Sequence, residues 1–137
     1  MITINGLPAV DTNVLLYSLD EFSTGKQSVA RRLLLDKPVI SSQNLSEFLN
    51  VLTKRWKYSK QKAMQATDVL LATCRYVPTE RSTVQRAFEL VRRYDFQLFD
   101  SLVVAAALGA GCTKLYSEDM QHGLMVENQL LILDPFR

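Results

Sequence analysis

The chain has 137 residues, of which 47% are hydrophobic, with 16 basic and 14 acidic side chains for a net charge of +2. That length and apolar content suit one domain, residues 1–137, with a core that needs neither disulfides nor a structural metal. The near-balanced charge falls short of the excess that would by itself announce a nucleic-acid binder, so net charge says little about partners.

In chain order, an apolar strand closing at Pro8 to Val10 is followed by helical stretches over Thr12 to Ser18 and Lys26 to Asp36. Val39 and Ile40 form a brief second strand. Gln43 to Trp56 then sets Leu45, Phe48, Leu49, Leu52 and Trp56 on one helical face. Lys60 to Thr73 and Thr79 to Tyr94 are two more helices, separated by a strand at Arg75 to Val77 and by Pro78. Asp100 to Leu108 reads as an N-capped, Ala-rich helix ending at Gly109 and Gly111, ahead of strands at Thr113 to Ser117 and Leu130 to Leu133. Short strands alternating with amphipathic helices predict an α/β fold with a mostly parallel sheet covered on both faces.

Cys74 and Cys112 lack the paired spacing of a zinc site and read as buried, reduced thiols. No stretch approaches the roughly 18 apolar residues of a membrane span, and no secretory leader pattern opens the sequence, so a soluble, cytoplasmic protein without membrane partners is expected. A P-loop and a Gly-rich dinucleotide fingerprint are both missing.

Four acids fall at informative places. In an open parallel sheet, ligands bind outside the carboxyl ends of the strands, and crossover helices begin at that same edge. Asp11 follows the first strand, Asp119 follows the Thr113 to Ser117 strand, Asp100 opens a crossover helix, and Glu47 lies in the first turns of another. Taken singly, Asp11 and Asp100 also read as helix N-caps, Glu47 as a solvated helix flank and Asp119 as a turn acid. Taken together they predict one crevice. Like charges about 4 Å apart repel by roughly 4 kcal/mol at an effective dielectric near 20, so the cluster must hold protons, spread apart or bind a cation. Carboxylate oxygens suit Mg²⁺ or Mn²⁺, whose retained waters leave room for phosphate oxygens and a nucleophile. With His122 as the one histidine, a paired-histidine route through a ribose 2′-hydroxyl is closed within one subunit.

The segments around these acids are also familiar. Ala9-Val10-Asp11-Thr12-Asn13-Val14-Leu15-Leu16-Tyr17, Ser41-Ser42-Gln43-Asn44-Leu45-Ser46-Glu47-Phe48, Phe99-Asp100-Ser101-Leu102-Val103-Val104-Ala105-Ala106-Ala107 and Ser117-Glu118-Asp119-Met120-Gln121-His122-Gly123 resemble, in order and spacing, the four acidic segments of PIN-domain proteins, especially toxin ribonucleases of VapBC-type toxin–antitoxin pairs. The resemblance implies a small α/β/α sandwich, Mg²⁺ or Mn²⁺ at Asp11, Glu47, Asp100 and Asp119, endonucleolytic cleavage of RNA, a homodimer, and inhibition by a cognate antitoxin protein. It further implies supporting roles for Thr12 and Asn13 near the first aspartate or the bound phosphate, and for Ser117 beside the fourth acid. Glu118 adjoins Asp119 and either shares or contests its role.

The expected function is metal-dependent endoribonuclease, with a non-catalytic RNA-binding or regulatory PIN-like module as the alternative and a phosphotransferase using Asp11 as a distant third. Lys54, Arg55, Lys57, Lys60 and Lys62 form a basic run that reads either as a phosphate-tracking surface or as charge complementing a helix C-terminus. Arg92 and Arg93 favour the solvated helix end.

Overall fold

The computed structural model describes residues 6–137. Its strands are β1 (Leu7–Val10), β2 (Val39–Ser41), β3 (Arg75–Val77), β4 (Cys112–Tyr116), β5 (Met125–Val126) and β6 (Leu130–Leu133). Its helices are α1 (Thr12–Tyr17), α2 (Thr24–Leu34), α3 (Ser42–Asn50), α4 (Lys60–Thr73), α5 (Arg81–Tyr94) and α6 (Leu98–Gly109), and α3 runs on into a wider π turn over Val51–Arg55. The sheet has six strands in the order β3-β2-β1-β4-β6-β5. All neighbours are parallel except β5, which pairs antiparallel with β6. The expected α/β sandwich with a mostly parallel sheet is what forms.

Alternation along the strands divides the core in two. Ala9, Val39 and Leu115 face a cluster with Ala87, Leu90 and the α6 residues Val103, Val104, Ala107 and Leu108. Their neighbours Val10 and Ile40 face the opposite cluster, with Leu15, Ala30, Phe48, Leu52 and Leu70. Side chains such as Leu15, Phe48 and Leu52, at most 1% exposed, each contribute about 1.5–3 kcal/mol by leaving water. Thus α1 to α4 cover one face and α5 and α6 the other. From β1 the chain first crosses to β2 on one side, and only later reaches β4 on the other. The strand order therefore reverses between β1 and β4, and a crevice opens there at the carboxyl edge.

Three local details differ from the sequence expectation. The Ala-rich helix begins at Leu98, with Gln97 at its N-cap and no side-chain capping bond, so Asp100 is not the N-cap but sits inside the first turn. Leu98 and Phe99 are 50% and 59% exposed, and an apolar pair that is not buried leaves no helical signature in the sequence. The helix from Ser42 does not stay α to Trp56: the Trp56 amide bonds the Val51 carbonyl at 3.0 Å, five residues back, while Thr53 Oγ1 donates to Leu49 O at 2.8 Å. Lys57, at φ 59°, then ends it. The short strand β5 was not expected. It turns back on β6 through Glu127 and Asn128, both at positive φ, with the Gln129 amide bonded to Val126 O at 3.0 Å. Two successive positive φ values mark a type I′ turn, and the pairing of Val126 with Leu130 leaves a three-residue connection between the strands.

Cys74 and Cys112 are buried and free, as expected, and burial pushes their thiols up to about 11 and about 12. Among the described residues no helix is long and apolar enough to cross a membrane.

Candidate active site

Asp11 sits at the end of β1, where its amide bonds Tyr116 O of β4 at 2.9 Å and so pins it beside the strand-order reversal. Its side chain caps α1, accepting from the Thr12 amide at 2.8 Å through Oδ1. It is thus an N-cap, but more besides. Oδ2 accepts from Ser117 Oγ at 2.8 Å and from Asn13 Nδ2 at 3.3 Å. The residue is 5% exposed, and Ser117 is fully buried.

Asn13 also reaches Asp119, donating from Nδ2 to Oδ2 at 3.1 Å, while its Oδ1 accepts from the Glu118 amide at 3.2 Å. Ser117 Oγ accepts from the amides of Asp119 and Met120, each at 3.2 Å. One serine therefore shapes the turn after β4 and bonds the aspartate after β1. Glu47 enters from α3, its Oε1 accepting from Thr12 Oγ1 at 2.9 Å. Thr12 Oγ1 in turn accepts from Asn44 Nδ2 at 3.1 Å, which fixes the direction of its own proton toward Glu47. Asn44 is 2% exposed and completes a capping box with Ser41 at the start of α3. Nothing in the sequence reading singled out Asn44; the Ser-x-x-Asn spacing before an apolar helix was the available signal.

Asp100 joins through its field. Burial raises its carboxyl, and Asp119 raises it further. Burial likewise raises Glu47, with added repulsion from Asp100 and Asp119 against the restraining bonds from Thr12 and Gln43. At Asp11, burial outweighs the bonds from Ser117 and Thr12, and the charges of Asp100 and Glu47 add to it, lifting the carboxyl to about 7. Asp11, Glu47 and Asp119 are thus joined through Thr12, Asn13 and Ser117, and Asp100 stands near enough to raise Asp11 and Glu47 by its charge.

Glu118 lines a cleft beside these acids but has partners of its own. Its carboxylate accepts from Tyr17 OH at 2.6 Å and pairs with Lys26 at 2.5 Å. Burial works to raise its carboxyl, but those two bonds outweigh it and hold it below the ordinary value. The cleft, open and of about 400 Å³, adjoins the cluster and is lined by Glu47, Asp119 and Glu118 together with Thr12, Asn13, Arg55 and Trp56 among others, while Asp11 and Asp100 lie outside its lining. Of the basic run, Arg55 enters this cleft. His122 lies in an exposed turn, where Nδ1 accepts from the Asp134 amide at 2.9 Å.

Among the described residues, no three His, Cys, Asp or Glu side chains are arranged to hold a metal ion as they stand. The chemistry of the donor set nevertheless fits a hard divalent cation: the carboxylates supply oxygen only, no imidazole or thiolate intrudes, and burial with mutual repulsion leaves negative charge that a cation would offset. Asp11, Glu47, Asp100 and Asp119 are the residues that would hold it.

A sequence model described as PIN domain matches residues 9–123. No curated protein matches the chain at comparable stringency. Solved structures do. Mycobacterium tuberculosis VapC20, described as a sarcin-ricin loop cleaving toxin, superposes with a TM-score of 0.66 at 21% identity, over 82% of this chain and 89% of that one. A toxin–antitoxin complex from Klebsiella pneumoniae gives 0.68 at 18%, over 94% and 97%. VapBC2 from Rickettsia felis, bound to a DNA fragment from its promoter, gives 0.68 at 16%, over 93% and 99%. At these identities the structures establish a shared fold.

Proposed function

Because the chain belongs to the PIN-domain family, we propose that it is a metal-dependent endoribonuclease, one nuclease domain over residues 1–137, acting as the toxin of a VapBC-type pair. Its substrate is RNA, cut to leave 5′-phosphate ends, with Mg²⁺ or Mn²⁺ as cofactor. Its partners are a cognate antitoxin protein and a second copy of itself, and its compartment is the cytoplasm. The toxin and antitoxin assignments draw support from the solved structures of the same fold, described as toxins and toxin–antitoxin complexes.

The observation that carries the nuclease reading is the hydrogen-bond network through Ser117, Thr12 and Asn13 that joins Asp11, Glu47 and Asp119 at one sheet edge, with Asp100 near enough to raise Asp11 and Glu47. Divalent metal bound there supplies Lewis acidity toward a phosphoryl oxygen and a water of lowered pKa. The residues of the chain do the positioning. Ser117 and the Thr12 amide fix both oxygens of Asp11, Asn13 ties Asp119 to Asp11, and Thr12 directs Glu47. Asp11 is buried and Glu47 and Asp100 are half-buried, so bulk water screens these three less than it does the exposed Asp119.

The test is cleavage of a mixed RNA pool by purified, partner-free protein in Mg²⁺, Mn²⁺ or EDTA, beside Asp100→Asn. Metal-requiring cleavage that disappears in the variant is the expected result. Intact RNA under every condition, with folded protein, would leave a binding module instead.

A further inference from the structure

Beside the acidic cleft lies a second pocket of about 550 Å³, lined by Phe22, Trp56, Tyr58 and Lys62 together with Leu19 and the acids Asp20 and Glu21. Trp56 and Asp20 line both cavities, so the two are adjacent. The backbone builds this wall deliberately. The π turn sets Trp56 one wide turn beyond Val51, so that Glu47, Val51 and Trp56 run up the same side of the cleft. Such turns recur at functional sites. Lys57, in the left-handed conformation at φ 59°, then swings the chain so that Trp56 and Tyr58 face one pocket, ring centroids 6.0 Å apart. The left-handed region is unfavourable for a residue with a Cβ, yet it is held here, with Tyr58 N bonded to Leu52 O at 2.9 Å.

Phe22 stands at the rim of the pocket. Its amide donates to Asp20 Oδ1 at 3.0 Å, an Asx turn that leaves the ring 101% exposed. Lys62 Nζ stands 4.0 Å from the centroid of the Tyr58 ring. Neither Lys62 nor Arg55 is paired with a carboxylate among the described residues. Three aromatic residues beside two cations that have no carboxylate partner, next to the acidic cleft, are what unpaired nucleobases bind: the rings stack on bases and the cations follow the backbone.

We propose that Phe22, Trp56 and Tyr58 form a stacking subsite for a base flanking the scissile bond in single-stranded RNA, with Arg55 and Lys62 on the adjoining phosphates. The register of this subsite to the scissile bond rests on the nuclease reading; the binding of bases does not. Trp56 is the one tryptophan in the chain, so its fluorescence reports the site directly.

The experiment titrates the full-length protein, in EDTA so that no cleavage occurs, with short oligoadenylate and oligouridylate. Expected is a saturable quench of Trp56 emission, stronger for adenine, whose affinity falls as salt rises. Phe22→Ala and Lys62→Ala should each weaken that affinity about tenfold with unchanged circular dichroism and Tm, Phe22 being wholly exposed. In metal, Phe22→Ala should raise KM for a cleaved oligonucleotide and leave kcat near the parent value. Absence of a saturable quench, or affinities indifferent to both variants, overturns the subsite even where metal-dependent cleavage persists, and leaves the pocket to a protein segment. Quenching that obeys these variants in a protein that never cleaves supports the subsite while the nuclease reading falls.

Discussion

Ser117 Oγ donates to Asp11 Oδ2 at 2.8 Å, joining residues 106 positions apart in the sequence. The hydroxyl has no exposed surface to fall back on, and it also accepts from the amides of Asp119 and Met120. Ser117→Ala removes all three bonds without opening a path for water. Leaving buried polar groups unsatisfied costs about 1–3 kcal/mol, so urea denaturation should show a loss of that size. Cleavage should fall further than stability does, because Asp11 and the turn bearing Asp119 both lose their anchor. Equal activity in folded Ser117→Ala would show that this anchoring does not serve the reaction.

Replacing an acid by its amide separates a catalytic cluster from four structural carboxylates. Asp100→Asn and Glu47→Gln each remove a charge that burial and neighbouring carboxylates oppose. In EDTA the Tm of each variant should therefore equal or exceed that of the parent. Loss of a group that stabilises developing charge typically lowers kcat about 10²- to 10³-fold, and a cleavage time course should show at least that. A helix-capping or surface role predicts the reverse pattern, with a lower Tm and intact cleavage.

Metal and pH should act on stability together. In the folded protein Asp11 retains its proton to about 7, whereas the unfolded value is 3.8. Between those values the folded state binds the extra proton, so stability falls as pH rises through that window and levels off above it. Glu47 and Asp100, also raised, act in the same direction. Glu118 and Glu127 are lowered, and their contribution is lost instead as pH falls through the ordinary carboxylate range. In EDTA the Tm should thus be higher near pH 5 than near pH 8. Mg²⁺ should raise it most near pH 8, where the ligands are ionised, by an amount that follows the logarithm of its concentration. A thermal-shift matrix of pH against Mg²⁺ checks this; a cation effect that is flat with pH, or a metal-free Tm rising toward pH 8, contradicts it.

Much of this was legible in the sequence because the determinants are local. Short apolar runs marked β1 and β2, helical periodicity marked α2 and α3, and the rule that ligands bind at the carboxyl edge of parallel strands brought four distant acids to one place. What escaped depends on partners far along the chain or on backbone states without a compositional signature. Asn44 matters because its amide reaches Thr12, 32 positions away. The π turn over Val51–Arg55 has no compositional mark, and Lys57 shows no glycine to advertise its positive φ. Strand β5 is two residues long, with Glu127 and Asn128 at its turn, too short for any periodicity. Asp100 was placed at an N-cap because the exposed Leu98 and Phe99 concealed the helix's true start.

Adjacent acids with different partners give the last prediction. Glu118 is engaged by Tyr17 and Lys26, 101 and 92 positions away, in an arrangement where the Lys26 cation also lies 4.8 Å from the Tyr17 ring centroid. Asp119 is exposed and bonds Asn13, the residue that touches Asp11. An amide oxygen at position 119 can still accept from Asn13, so Asp119→Asn should fold normally while cleavage falls by about 10²-fold or more. Glu118→Gln should keep near-parent kcat and instead lower the Tm modestly, since Lys26 loses its counter-charge. Lys26→Met should do the same, and the double variant should be no worse than either single one, the signature of one shared interaction. Parallel kinetics and thermal melts on these four proteins decide the matter. If Glu118→Gln abolished cleavage and Asp119→Asn did not, the fourth acid of the site would be Glu118.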